Sequence, residues 1–316
     1  MRVLVTGGAG FIGSHLCERL LSEAFEVVSL DSYDGFYDPA IKRGNLAGCR
    51  DHARFTDVDG DIRDEAALDA LPEVDAIIHL AARAGVRPSI EEPVLYNDVN
   101  VGGTVALLEL AQKRGIGRFV FGSSSSVYGN NEKVPFSEHD PVDHPISPYA
   151  ATKKAGELLC HTYHHLHGIR MLCFRFFTVY GPRQRPDLAI HKFARLMSRG
   201  DPVPRFGDGT TERDYTYVDD IIDGVMGGME YLDAHPEAYE TINLGESRTV
   251  SLNEMIDTVS RALSVEPTVE ELPLQPGDVR RTYADVSKAR ALLSYAPRTD
   301  FEEGVRRFVE WFRERG

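Results

Sequence analysis

Hydrophobic positions in the first half of the chain fall into short runs rich in valine and isoleucine, at residues 2–6, 26–30, 75–80, 118–121 and 169–174, each of which reads as a strand. Between them, residues 11–22, 97–114 and 149–167 place apolar side chains at helical spacing. Alternating strands and helices build a parallel sheet, because right-handed crossovers lay the helices on both of its faces. The expected fold is therefore α/β, a doubly wound parallel sheet. After residue 177 the rhythm loosens, with prolines at Pro182, Pro186, Pro202, Pro204, Pro273 and Pro276. This divides the chain into a larger domain, residues 1–177, and a smaller lobe, residues 178–316. Segments 214–218 and 241–244 are strand-like enough to be expected back in the main sheet.

Composition narrows the function. The 316 residues are 42% hydrophobic and 27% charged, ordinary for a globular protein, and the formal charge is −14. Nucleic acid and anionic membrane surfaces need a basic face that no run of lysine or arginine supplies here. No apolar run approaches the roughly 18–20 residues needed to cross a bilayer. Met1 to Thr6 lead straight into a glycine-rich turn instead of a cleavage region, so a cytoplasmic location is expected. Cys17, Cys49, Cys160 and Cys173 are scattered, which fits buried thiols and implies neither a metal site nor a disulfide framework. An acidic protein that takes an anionic ligand must gather arginine locally, as residues 175–185 and 277–281 do.

Gly7, Gly10 and Gly13 follow the first strand and open the first helix, where a backbone free of side chains can approach a pyrophosphate at the helix N-terminus. This is the dinucleotide turn of a Rossmann fold. Asp31 ends the second strand, where a carboxylate can accept hydrogen bonds from a ribose; the plainer alternative is an Asp capping a turn. Such a carboxylate repels a 2′-phosphate, so NAD is expected over NADP unless Lys42 or Arg43 swings in. Tyr149 and Lys153 lie one helical turn apart on one face. An ammonium about 4 Å from the phenol provides roughly 4 kcal/mol, enough to lower its pKa by about three units and make it a base. Ser124, at the end of the fifth strand, would complete the proton path.

With these motifs in place, the chain resembles the extended short-chain dehydrogenase/reductase family along nearly its whole length. The likeness is carried by residues 6–13, 60–63, 79–82, Asn100 with Gly102 to Thr104, and residues 123–129, 149–153, 213–215 and 217–220. The resemblance implies that Phe11, Ile12, Ser32, Asp61, Ile62, Leu80, Ala81, Ala82, Asn100 and Phe176 join the glycine turn and Asp31 around the cofactor, with Lys153 holding its nicotinamide ribose. It also implies a UDP-sugar substrate contacted by Arg87, Ser124, Ser125, Ser126, Thr178, Arg185, Arg213 and Asp278. A homodimer through helices 97–114 and 149–167 is implied too, with no metal. Tyr149 would take the proton of the sugar C4 hydroxyl while hydride leaves C4, and return of hydride to the other face of the ketone gives the epimer.

Dehydratases and decarboxylating relatives carry an acidic residue where this chain has Ser126, which weakens both readings. A dinucleotide sensor would typically lack the Tyr149 and Lys153 pair. Residues 175–187, with Thr178 where glucose/galactose epimerases have Asn, look like the subgroup that epimerises UDP-glucuronate at C4, as do residues 36–39 with Lys42 and Arg43. The alternative is epimerisation of UDP-glucose and UDP-galactose. A 4-keto uronate is a β-keto acid, and the site must hold its carboxylate away from the alignment that expels carbon dioxide. Ser125, Ser126, Thr178 and Arg185 are the expected clamp. The plainer alternative is that Arg185 meets a phosphate and Thr178 packs beside the nicotinamide.

Overall fold

The computed structural model describes residues 1–273 and 279–315. Strands β1 (Arg2–Thr6), β2 (Glu26–Asp31), β3 (Phe55–Asp59), β4 (Ala76–His79), β5 (Arg118–Ser124) and β6 (Arg170–Phe176) alternate with helices. The chain then forms β7 (Thr178–Tyr180), β8 (Val203–Phe206) and β9 (Glu212–Tyr217), followed by β10 (Tyr239–Leu244), β11 (Thr249–Ser251) and β12 (Val269–Leu272). Seven strands in the order β10-β6-β5-β4-β1-β2-β3 make one all-parallel sheet. Its strands alternate apolar residues between two covered faces, as parallel sheets require. Val3 and Val5 pack with Leu16, Leu20 and Val225 on one side. Leu4 packs with Leu107, Ala111 and Cys160 on the other.

The expected doubly wound sheet is present, with three differences of detail. The edge strand β3 has only exposed or half-buried positions, so it lacks the apolar run that marks the others. Helix 97–114 is in fact Pro93–Asn97, a π-helical turn at Asp98–Gly102, and Gly103–Arg114. The third difference is a correction. Residues 241–244 return to the main sheet within β10, which pairs with β6, but 214–217 lie in β9 of a separate sheet ordered β11-β9-β7, and Val218 already begins a helix. Asp214 is the physical reason. Its buried carboxylate accepts the N–H groups of Glu246, Ser247 and Ala284 at 2.8–3.0 Å, tying β9 to the loop that leaves the main sheet.

Helix Pro148–His167 carries the candidate chemistry. Ser147 caps it by accepting the Ala150 N–H, Pro148 fits its first turn, and Gly168 ends it in the left-handed region. No helix among the described residues is long and apolar enough to cross a membrane.

Candidate active site

The carboxyl ends of β1, β2, β4, β5 and β6 open into a cleft of about 390 Å³, the place where doubly wound sheets bind ligands. Gly7, Gly10, Phe11, Ile12, Gly13, Asp31, Ser32, Asp61, Ile62, Leu80, Ala81, Ala82, Ser124, Tyr149, Lys153, Phe176, Thr178 and Arg185 all line it. The glycine turn is a cradle that side chains would fill. Gly7 has φ +71°, and a Cβ there would stand 2.8 Å from the Ala81 nitrogen; a Cβ on Gly13 would stand 2.1 Å from the Gly7 oxygen. Gly10 caps helix Phe11–Ser22 without a side-chain bond to its free N–H groups, which suits a pyrophosphate.

Asp31 is buried at the end of β2, accepting the Tyr33 N–H at 2.9 Å and facing Lys42 Nζ at 3.5 Å. Lys42 points at Asp31 itself and is held also over the Tyr37 ring at 5.2 Å, whereas Arg43 turns to Asp59 at 2.9 Å. The Asp61 carboxylate is clasped by Arg63 at 2.7 Å and 3.0 Å, leaving Ile62 as the apolar surface beside it.

Tyr149 is half-buried in the cleft wall, with Tyr96 edge-on at a centroid distance of 6.3 Å. Burial raises its pKa, and a hydrogen bond with Ser124 and the charge of Arg185 oppose the rise. Ser124 donates in turn to Ser126 Oγ at 3.0 Å. Lys153 Nζ donates to the Gly122 carbonyl at 2.7 Å and lies 6.0 Å from the Tyr149 ring centroid, and burial brings its pKa down to about 8. Lys153 is engaged by the end of β5, and the charge of Arg185 also favours the ionised Tyr149.

Arg185 approaches from the smaller lobe, bonded to Asp187 at 2.7 Å and 3.0 Å and resting 5.2 Å from the Phe36 ring centroid. Thr178 opens β7, paired with Tyr215, and lines the same cleft.

The chain matches the GDP-mannose 4,6 dehydratase family over residues 4–308. It belongs to that family. As the sequence motifs imply, it is an extended short-chain dehydrogenase/reductase. It is 42% identical over 315 residues, 98% of this chain and 96% of the relative, to a UDP-glucuronate 4-epimerase of Thermodesulfobacterium geofontis. A UDP-glucuronic acid 4-epimerase of Bacillus cereus, solved with UDP-glucuronic acid and NAD, is 37% identical with a TM-score of 0.94, covering 99% of each chain. A UDP-glucose 4-epimerase of Thermotoga maritima, solved with UDP-glucose, is 33% identical with a TM-score of 0.89 and the same coverage.

Several expected members of this family site lie apart from the cleft lining. Asn100, in the π-helical turn, brackets the Arg83 backbone at 2.8 Å and 3.0 Å and donates to Thr152 Oγ1 at 3.0 Å, so it joins the loop after β4 to the helix of Tyr149. Ser125 and Ser126 form the short turn capped by Ser124. Arg87 stands 5.4 Å from the Phe206 ring centroid, and Arg213 donates to the Glu212 carbonyl at 2.8 Å. Asp278 lies outside the described residues. The arginine-rich stretches are mostly spent internally: Arg175 on Glu157 at 2.8 Å and 2.9 Å, Arg183 on Glu18 at 2.6 Å, Arg281 on Glu212. Sequence reasoning missed Arg83, which lines the cleft and pairs with Asp34. Its one signal is position, directly after the Ala81-Ala82 pair beyond the end of β4.

Proposed function

We propose that this chain converts UDP-glucuronate to UDP-galacturonate by epimerisation at C4, keeping the carboxylate, with NAD as its cofactor. The observation that carries the reading is the near-complete overlap with an epimerase holding UDP-glucuronic acid and NAD, together with a cleft that offers a proton path at Tyr149 and a guanidinium at Arg185. The glycine turn would hold the pyrophosphate of NAD, Asp31 its adenosine ribose, Ile62 its adenine and Lys153 its nicotinamide ribose. Bound there, NAD supplies a hydride acceptor for C4 and gives the hydride back. Tyr149, hydrogen-bonded to Ser124, takes the O4 proton and gives it back to O4 when the hydride returns. Arg185, opposing the effect of burial, favours the ionised phenol. Arg185 and Thr178 hold the carboxylate near the plane of the C4 ketone, where the bond to it cannot align with the carbonyl π orbitals.

The division into a cofactor half, residues 1–177, and a sugar half, residues 178–316, follows from this reading, with β10 returning to the first. We read the assembly as a homodimer through the two long helices, supported by Leu158 and Leu166, which are 57% and 64% exposed on helix Pro148–His167. Four buried free cysteines suit a reducing cytoplasm. Incubation with UDP-glucuronate and, separately, UDP-glucose, with products separated by chromatography, tests the assignment. UDP-galacturonate is the expected main product; a dominant UDP-pentose, or faster turnover of UDP-glucose, overturns it.

A further inference from the structure

The loop after β2 lines the cleft with Asp34, Phe36 and Tyr37, and their contacts set its course. At its far end Tyr37 lies beneath the Lys42 ammonium, 5.2 Å from the ring centroid, and Lys42 faces Asp31 at 3.5 Å. Asp34 pairs with Arg83 from the loop after β4. Between these anchors the half-buried ring of Phe36 meets two guanidiniums, that of Arg83 at 5.3 Å and that of Arg185 at 5.2 Å. Two like charges converge on one ring from different halves of the molecule. The negative π face offsets their repulsion, and Asp34 and Asp187 balance them on the outer side.

We propose that Phe36 is a positioning residue that sets the preference for an acidic sugar, by fixing the Arg185 guanidinium where it meets the substrate carboxylate. The inference rests on the reading of Arg185 given above. A guanidinium held only by the half-exposed Asp187 carboxylate swings with that side chain; seated on Phe36 it has a second, planar constraint. Because Phe36 belongs to the same loop as Tyr37, the geometry of the acid clamp is set from the cofactor side of the cleft.

The test uses the full-length holoenzyme and two ligands, UDP-glucuronate and UDP, which lacks the sugar acid. In calorimetric titrations, Phe36→Ala weakens UDP-glucuronate roughly five-fold more than UDP, and Phe36→Tyr restores the ratio. With UDP-glucuronate as substrate, Phe36→Ala also releases a UDP-pentose. In that side reaction the C5–C6 bond of the 4-keto acid breaks, its electron pair becomes the enolate at O4, carbon dioxide leaves, solvent protonates C5, and return of the hydride to C4 gives the pentose. Equal weakening of both ligands, or no pentose, overturns the role of Phe36 when Arg185→Ala alters both readouts. If Arg185→Ala alters neither, the reading of Arg185 itself falls, and the inference with it.

Discussion

Lys153 and Glu157 stand one turn apart on helix Pro148–His167 and meet burial in opposite ways. Glu157 is surrounded by partners: Arg175 in a two-pronged pair, the Ser123 hydroxyl at 2.7 Å and Lys154 at 3.2 Å. Burial would raise its pKa, but those bonds hold it below the ordinary carboxylate value. The network runs on from Arg175 through Tyr128 to Asn243, and so fastens the helix to β5, β6 and β10. Lys153 meets neutral groups, the Gly122 carbonyl and the rings of Phe121 and Tyr149, and its pKa falls to about 8. Tyr149 next to it is pushed up. Compensated charge yields a rigid frame, whereas at Lys153 uncompensated burial brings a proton affinity toward the working pH, and at Tyr149 it must be offset by Ser124 and Arg185.

The sharpest test of that contrast is Tyr149→Phe. It removes the proton acceptor and leaves the frame, so kcat falls by roughly two to four orders of magnitude while nucleotide released from the denatured protein is still NAD. Near-normal turnover would move the base elsewhere, with Ser124 the first to examine. Glu157→Ala acts on the other side, leaving Arg175 buried without its carboxylate at a cost of about 3–5 kcal/mol. A lowered unfolding midpoint with kcat retained within about ten-fold at low temperature keeps frame and chemistry separate. Normal stability with lost turnover would break the comparison.

A third buried titratable group gives the smallest effect. His79 lies between the Thr6 and Thr104 hydroxyls at 2.8 Å and 3.0 Å, and burial, with the nearby charge of Lys153, lowers its pKa to about 3. Between that value and the ordinary 6.5 the unfolded chain binds a proton that the folded chain refuses. Its contribution to stability is therefore fully present above about pH 6.5 and declines, by up to about 1.4 kcal/mol per pH unit, as pH falls toward 3. Urea unfolding at about pH 7 and pH 5.5 should show the native protein losing roughly 1 kcal/mol more than His79→Gln. Equal losses would mean that His79 takes its proton in the fold.

The strand and helix rhythm, the glycine turn, Asp31 and the Tyr149–Lys153 spacing were legible because each is local in sequence. What was hidden depends on partners far along the chain. Arg175 looked available for an anion, but Glu157, 18 positions away on another element, consumes it. The break in helix 97–114 was hidden too, since a periodicity argument assumes one unbroken helix, whereas the π-helical turn aims Asn100 at Arg83 and Thr152. Segment 214–217 has the alternation of a strand, and alternation alone does not say which sheet a strand joins; the backbone bonds to Asp214 decide that.

The position of β10 has a consequence for how the protein is made. Its partner β6 ends at Phe176, but β10 ends only at Leu244, so during synthesis the outer edge of β6 waits unpaired while the intervening chain leaves the ribosome. At ordinary elongation rates that interval is on the order of several seconds. Throughout it, the apolar strand Arg170–Phe176 offers open N–H and C=O groups to any other extended segment. The nascent chain is therefore most exposed to mispairing after the cofactor half has been made and before residue 244 has emerged, which is when a holding chaperone has most to protect.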